Sequence, residues 1–150
     1  MQLKIEINNL AKSPVEKKML KKIAKLAVEK SGYAFLRNKT VSLSFAWVNE
    51  MEIKKINHTY RCKNKATNVL SFCEYEKLAE LKKNPEKEIF LGEIILCYNF
   101  IEAMVRKNSI HEDGAMEQEL AKIIAHGVLH LLCFEHGKKM FSIQDACSEQ

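Results

Sequence analysis

The stretch Thr40-Val-Ser-Leu-Ser-Phe-Ala-Trp-Val48 decides the fold class of this 150-residue chain. Its large apolar side chains stand at every second position, with Thr, Ser and Ala between them. A period of two places them on one face of a β-strand, and such a face must be covered by helices or by a second sheet. The stretch therefore predicts a sheet with at least one face buried in the core.

Periodic segments on both sides of this strand predict the rest of the fold. Further strands are predicted at 2–7, 68–75 and 89–98. Helices are predicted to begin after residue 13 and after residue 48, and to span residues 99–107 and 115–132. The resulting order β-α-β-α-β-β-α-α is typical of an α+β fold. We expect a single mixed β-sheet of about four strands packed by helices, with residues 1–150 forming one domain.

Two local signals refine the boundaries of the predicted elements. The first helix is expected to begin with a capping box, in which Ser13 is the N-cap, Pro14 the first helical residue and Glu16 the third. Gly32 is suited to its C-terminal end. The segment 77–88 is polar and contains a proline, so it predicts an exposed loop.

Composition excludes several classes of protein. Hydrophobic residues make up 47% of the chain and charged residues 29%, which excludes disordered and collagen-like chains. No window reaches the roughly 18 consecutive apolar residues of a membrane-spanning helix. The first ten residues alternate polar and apolar, so no secretory signal is predicted and the expected location is cytoplasmic. The five cysteines include no C-x-x-C pair and are expected to be reduced thiols.

Charge is divided unevenly along the chain. Residues 1–75 carry a net charge of +9 and residues 76–150 a net charge of −4, for a total of +5. A basic half permits a polyanionic partner, but lysines that simply coat solvent-exposed helix faces would give the same charge distribution. Charge alone leaves both interpretations open.

Three of the five histidines fall within eleven residues, at His126, His130 and His136. The first two are four apart in a helical stretch, so their rings leave the same face one turn apart. His136 follows the expected end of the helix, where a chain that turns back brings a third ring to the same ion. Three neutral imidazoles and one water form an open zinc site of the catalytic type.

The histidine spacing is that of metzincin proteases, whose motif is H-E-x-x-H-x-x-G-x-x-H. Gly127 stands where those enzymes have a glutamate general base, which argues against peptide hydrolysis. Cys133 stands where they have a glycine, so it is either a packed thiol or itself a metal ligand that leaves His136 free. The isolated histidines, His58 and His111, are predicted at the surface.

The segment HGVLHLLCFEH at 126–136 resembles the H-G-x-L-H-L-x-G-Y-D-H signature of the YbeY family of bacterial endoribonucleases and ribosomal RNA maturation factors. NHTYR at 57–61 with ATNVLSF at 66–72 resembles the family's L-N-x-x-Y-R and T-D-V-L-S-F, and LGEI at 91–94 resembles its L-G-D-I. The resemblance covers most of residues 50–136. The histidines match, and the departures from the pattern are Asn68, Glu93, Cys133, Phe134 and Glu135.

This resemblance implies a single-strand-specific, metal-dependent endoribonuclease with one Zn²⁺ ion per chain on the three histidines. It implies a cytoplasmic role in ribosomal RNA processing, including 3′-end maturation of 16S rRNA and ribosome quality control. The implied partners are single-stranded or ribosomal RNA and the ribosome or its small subunit, with no membrane and no DNA.

Arg61 lies in one of the resembling blocks and is interpreted as the catalytic residue that binds the scissile phosphate. An arginine fork matches charge on phosphoryl oxygens better than a lysine does. Lys63 and Lys65 are interpreted, with Arg61, as RNA-binding residues that contact backbone phosphates. No general base stands out; Glu93 and Glu135 are candidates for that base or for hydrogen-bonded support of the ligating histidines.

Two other functions stay open at this point. One is a metallohydrolase that acts on a peptide or a small molecule, and a scan of RNA, peptide and ester substrates separates it from a nuclease. The other is a non-enzymatic ribosome assembly factor with a structural metal, which an open coordination position argues against.

Overall fold

Four strands form one sheet in the computed structural model, which describes residues 1–108 and 113–149. The strands are β1 (Gln2–Asn9), β2 (Thr40–Trp47), β3 (Val69–Cys73) and β4 (Glu88–Leu96). They lie in the order β1-β2-β4-β3, with β1 and β4 parallel to β2 and β3 antiparallel to β4. The predicted α+β fold with one mixed four-stranded sheet is confirmed, and the short strand β3 lies at one edge.

Helices connect and cover these strands. Within the described residues they are α1 (Lys17–Lys30), α2 (Glu50–Arg61), α3 (Leu78–Lys83), α4 (Tyr98–Lys107), α5 (Ala115–Leu131) and α6 (Lys138–Ser148), with a 3₁₀ turn at Ala34–Leu36. None of these helices combines the length and the hydropathy that crossing a bilayer requires. His58 is exposed on α2, as predicted, whereas His111 lies outside the described residues.

The two faces of the sheet bury separate hydrophobic clusters. Phe45 and Trp47 of β2 belong to the larger cluster, together with buried side chains of α1, α5 and α6. Ala46, which alternates with them, belongs to a smaller cluster with Ile53 of α2 and Leu70 of β3. The helices α2 and α5 therefore lie on opposite faces of the sheet, and the edge strand β3 lies between them.

The start of α1 differs from the predicted capping box. The helix begins at Lys17, and no side chain caps its first turn. Ser13 instead closes a turn with the end of β1, because its backbone N–H donates to Oδ1 of Asn9 at 2.7 Å and its carbonyl accepts from Nδ2 of Asn9. The prediction for the C-terminal end is confirmed, since Gly32 follows the last residues of α1 with a φ of +73°.

Two helices were not predicted from the sequence. The segment predicted as a loop contains α3, which docks through the fully buried side chain of Leu81. The segment after His136 forms α6, which buries Met140 and Ile143 against the larger cluster. This last helix packs on α5 and so reaches the histidines.

Candidate active site

Helix α5 approaches the sheet closely at Gly127. A Cβ at this position would lie 3.1 Å from Cγ2 of Ile94 on β4, so a glycine lets the helix lie against the strand. The carbonyl oxygen of Gly127 accepts a hydrogen bond from Oγ of Ser71 on β3 at 3.3 Å. These contacts hold the histidine-bearing part of α5 beside the edge strand.

The end of α5 turns the chain back toward the first two histidines. The backbone N–H of Cys133 donates to the carbonyl of His130 at 3.0 Å, and that of Phe134 donates to the carbonyl of Leu129 at 3.0 Å. This pattern is a Schellman motif, and Cys133 occupies its left-handed position with a φ of +66°. The turn directs the following residues, including His136, back over the helix end.

The three histidine rings meet at one point. Nε2 of His130 lies 3.0 Å from Nε2 of His126 and 3.1 Å from Nε2 of His136. In the part of the chain that the structure describes, these rings form the group of potential ligands close enough to share one ion. An ion about 2.0 Å from each nitrogen in tetrahedral geometry separates the nitrogens by about 3.3 Å, so the donor set fits a divalent metal.

Gln144 of α6 orients the first of these rings. Its Oε1 atom lies 3.0 Å from Nδ1 of His126. Because an amide oxygen can only accept, Nδ1 carries the proton and Nε2 keeps the lone pair that a metal needs. The sequence analysis missed Gln144, although the apolar spacing of Met140, Ile143 and Cys147 was a usable signal for the helix that carries it.

Burial keeps two of the rings neutral. Loss of water around His130, together with the smaller effects of the neighbouring rings and the positive charge of Arg61, lowers its pKa to about 4. Burial also lowers the pKa of His126, against the opposing effect of its hydrogen bond to Gln144. Neutral imidazole is the form that binds a metal, so both rings are prepared for ligation at neutral pH.

Arg61 ends α2 on the other side of the edge strand. Its Nη2 donates to the carbonyl of Ser71 at 2.6 Å, and its guanidinium carbon lies 5.3 Å from the centre of the Phe72 ring. Ser71 therefore connects both sides, because its carbonyl accepts from Arg61 while its hydroxyl donates to Gly127. Because β3 lies at the edge of the sheet, the carbonyls on its outer side lack a strand partner, so the Ser71 carbonyl can accept from Arg61.

A cavity of about 530 Å³ is lined by all three histidines and by Arg61, Lys63 and Lys65. The loop that carries the two lysines is held by Asn57, whose side chain is 2% exposed and whose Nδ2 donates to the carbonyl of Lys65 at 2.9 Å. Among the residues that the structure describes, no acidic side chain lines this cavity. Asn57 belongs to the NHTYR motif at 57–61, but the motif alone did not predict this supporting role.

The remaining predicted site residues lie outside the histidine cluster. Cys133 donates its thiol toward the carbonyl of Tyr75 at 3.4 Å and is not part of the three-ring group, which favours the interpretation as a packed thiol. Among the described residues, no hydrogen bond joins Glu93 or Glu135 to a histidine ring. Glu93 is half-buried on β4 and Glu135 is exposed at the turn, and their supporting role stays a prediction.

Comparisons with known proteins identify the family of this chain. The family model described as Endoribonuclease YbeY matches residues 6–149. A curated protein named Endoribonuclease YbeY from Aquifex aeolicus is 33% identical over 129 residues, which cover 86% of this chain and 75% of that protein. Its namesake from Buchnera aphidicola subsp. Acyrthosiphon pisum is 42% identical over 89 residues, which cover 59% of this chain and 51% of that protein.

Coverage of the relatives is partial in several cases. The matched stretches span 51%, 62% and 63% of the full length of the relatives from Buchnera aphidicola, Zymomonas mobilis and Pelagibacter ubique. The solution structure of a protein from Thermotoga maritima is similar in fold, with a TM-score of 0.60, 24% identity, and coverage of 97% of this chain and 87% of that one. Because the family model extends over nearly the whole sequence and includes all three histidines, the chain belongs to the Endoribonuclease YbeY family.

Proposed function

We propose that this protein is a metal-dependent endoribonuclease that cleaves single-stranded RNA. The observation that carries the proposal is the shared cavity, in which a three-histidine cluster faces Arg61, Lys63 and Lys65 and no acidic side chain of the described residues takes part in the lining. Cleavage of a phosphodiester is assisted by positively charged groups beside its phosphoryl oxygens, where negative charge develops in the transition state. The family name of the curated relatives supports the same activity.

The ion we propose for the histidines is zinc, one per chain. Three neutral imidazoles with a fourth position left open are typical of catalytic zinc sites. When bound, such an ion supplies a Lewis acid for a phosphoryl oxygen and lowers the pKa of a water to about 7. His126, His130 and His136 would hold it, and Gln144 would keep the ring of His126 in the ligating tautomer.

Arg61 is proposed to bind the scissile phosphate. One of its N–H groups is used on the Ser71 carbonyl and its plane is supported by Phe72, so the guanidinium is held with other N–H groups available for phosphate oxygens. Preorganised donors of this kind gain strength as negative charge develops in the transition state. Lys63 and Lys65 are exposed on the adjoining loop and are proposed to bind flanking phosphates.

We further propose ribosomal RNA as the substrate class, the ribosome or its small subunit as the partner and the cytoplasm as the location, with residues 1–150 acting as one domain. These proposals rest on the family, whose members the sequence resembles in three separate motifs. They include a role in 3′-end maturation of 16S rRNA and in ribosome quality control.

A cleavage assay with matched substrates tests the proposed activity. One end-labelled RNA oligonucleotide is offered single-stranded, annealed into a duplex and as the same sequence in DNA, with protein stripped of metal and protein reloaded with zinc. We expect cleavage of the single-stranded RNA by the reloaded protein only. His130→Ala should abolish it, and His58→Ala, which changes an exposed histidine outside the cavity, should not. Equal cleavage by the His130→Ala variant would refute the proposal.

A further inference from the structure

A second cavity of about 510 Å³ adjoins the histidine cavity and has a different chemical character. Both are lined by Arg61, Ser71, Cys73 and His130, which form the boundary between them. The rest of the lining of the second cavity includes four aromatic side chains, Tyr60, Phe72, Tyr75 and Phe134. It also includes two carboxylates, Glu76 and Glu135. Positive charge thus lies on one side of Arg61, and aromatic and acidic groups lie on the other.

We propose that this second cavity binds an unpaired nucleobase next to the scissile phosphate and favours a base that carries an exocyclic amino group. The inference rests on the proposed function, because it assumes an RNA strand at the histidines. It adds a base-binding site and a sequence preference to that function.

The aromatic side chains provide a surface on which a base can stack. Tyr60 is 67% exposed, although an aromatic ring of this size is costly to leave in water. Its ring is held edge-on against Phe72, with 5.4 Å between the ring centres and 74° between the ring planes. An exposed aromatic ring in a fixed orientation is what single-stranded nucleic acids use for stacking.

Arg61 connects the stacking surface to the phosphate site. Its guanidinium carbon lies 5.3 Å from the centre of Phe72, and the same side chain lines the histidine cavity. A nucleotide whose phosphate is bound by this guanidinium therefore has its base within reach of Phe72 and Tyr60. A duplex cannot offer a base in this way, because its bases are stacked and paired with one another.

The two carboxylates select the edge of the base. Glu76 and Glu135 are exposed, and among the described residues neither forms an ion pair, so both keep their oxygens free to accept. Carboxylates repel phosphate and accept hydrogen bonds from amino groups such as N4 of cytosine. Guanine, adenine and cytosine carry such a group and uracil does not, so the cavity should disfavour uracil.

Four oligonucleotides test the inference: one of uridine alone, and three in which the central uridine is replaced by guanosine, adenosine or cytidine. We expect the zinc-loaded protein to cleave next to the inserted base at least about fivefold faster than between uridines. Binding to 2′-O-methyl versions, followed by fluorescence anisotropy with metal-free protein, should show the same order of bases without any cleavage. Tyr60→Ala should weaken binding of the guanosine oligonucleotide by about fivefold or more, and Tyr60→Phe should retain it.

Two further variants separate the carboxylates from the aromatic surface. Glu76→Gln and Glu135→Gln should each narrow the difference between guanosine and uridine, because an amide also donates to uracil oxygens; zinc content is measured for both. Phe90→Ala, on an exposed ring of β4 outside both cavities, should change nothing. Uniform cleavage and binding across all four oligonucleotides would overturn the inference. A base preference in binding without cleavage of any RNA would support the base site and refute the proposed function.

Discussion

Replacement of Gln144 by leucine should weaken zinc binding while the protein stays folded. The Oε1 atom of Gln144 lies 3.0 Å from Nδ1 of His126 in the histidine cluster. Leucine has a similar size and cannot accept a hydrogen bond, so the His126 ring loses the partner that selects its tautomer and orientation.

The expected magnitude follows from the role of this hydrogen bond. Loss of a partner behind a ligating histidine costs about 10- to 100-fold in metal affinity, which is about 1.4–2.7 kcal/mol. Gln144→Glu is the matched variant, because a carboxylate accepts from the same Nδ1–H and should keep or raise the affinity. Competition titrations of metal-free protein against a chromophoric zinc chelator measure both effects, and circular dichroism confirms the fold.

Unchanged zinc affinity in a folded Gln144→Leu protein would refute this reasoning. It would show that packing of α5 alone fixes the His126 ring. An equal loss in Gln144→Leu and Gln144→Glu would also contradict it, since only the first removes the acceptor. Ser142→Ala, on an exposed position of the same helix, serves as the control for general effects on α6.

Four further predictions concern single residues of the site. Arg61→Ala should keep the fold and the zinc but lower kcat for RNA cleavage by about 10²–10³, and Arg61→Lys should restore little of it; normal cleavage by the alanine variant would exclude the assigned role. Lys63→Ala should weaken RNA binding and reduce the slope of log affinity against log salt by about one, and an unchanged slope would place Lys63 away from the backbone. Cys133→Gly should raise the stability by about 1 kcal/mol in urea unfolding, because it relieves the left-handed φ of +66°, and should keep the zinc; loss of zinc would instead identify Cys133 as a ligand. Because the pKa of His130 falls from 6.5 to about 4 on folding, the metal-free protein should lose stability as the pH drops from about 6.5 toward 4, and the loss should be smaller in His130→Gln; identical pH profiles would show that this ring is not buried in the neutral form.

Patterns that depend on neighbouring residues were readable from the sequence. The alternation in β2 and the spacing of His126 and His130 are both set by the repeat of one element, and both are as predicted. The left-handed backbone at Cys133 could also be expected from the sequence, because a glycine is usual at that position of the histidine motif. Local geometry was therefore sufficient to predict the class of the sheet and the clustering of His126 with His130.

Contacts between distant segments were not readable in this way. The link from Arg61 through Ser71 to Gly127 depends on β3 pairing at the edge of the sheet, and the order of strands is not encoded in any local period. The same holds for α3, where a polar segment becomes helical because Leu81 finds a place in the core. Ser13 is a residue type that caps helices, but in the fold its backbone N–H and carbonyl bond to the side chain of Asn9 at the end of β1.

The zinc content of purified protein tests the central claim most directly. Mass spectrometry of the wild-type protein and of the His126→Ala/His130→Ala double variant, both dialysed against the same zinc buffer, measures bound metal per chain. We predict one zinc ion per wild-type chain and none in the double variant, because the two replacements leave His136 as the one ring of the cluster. One zinc ion per chain in the double variant would contradict the account.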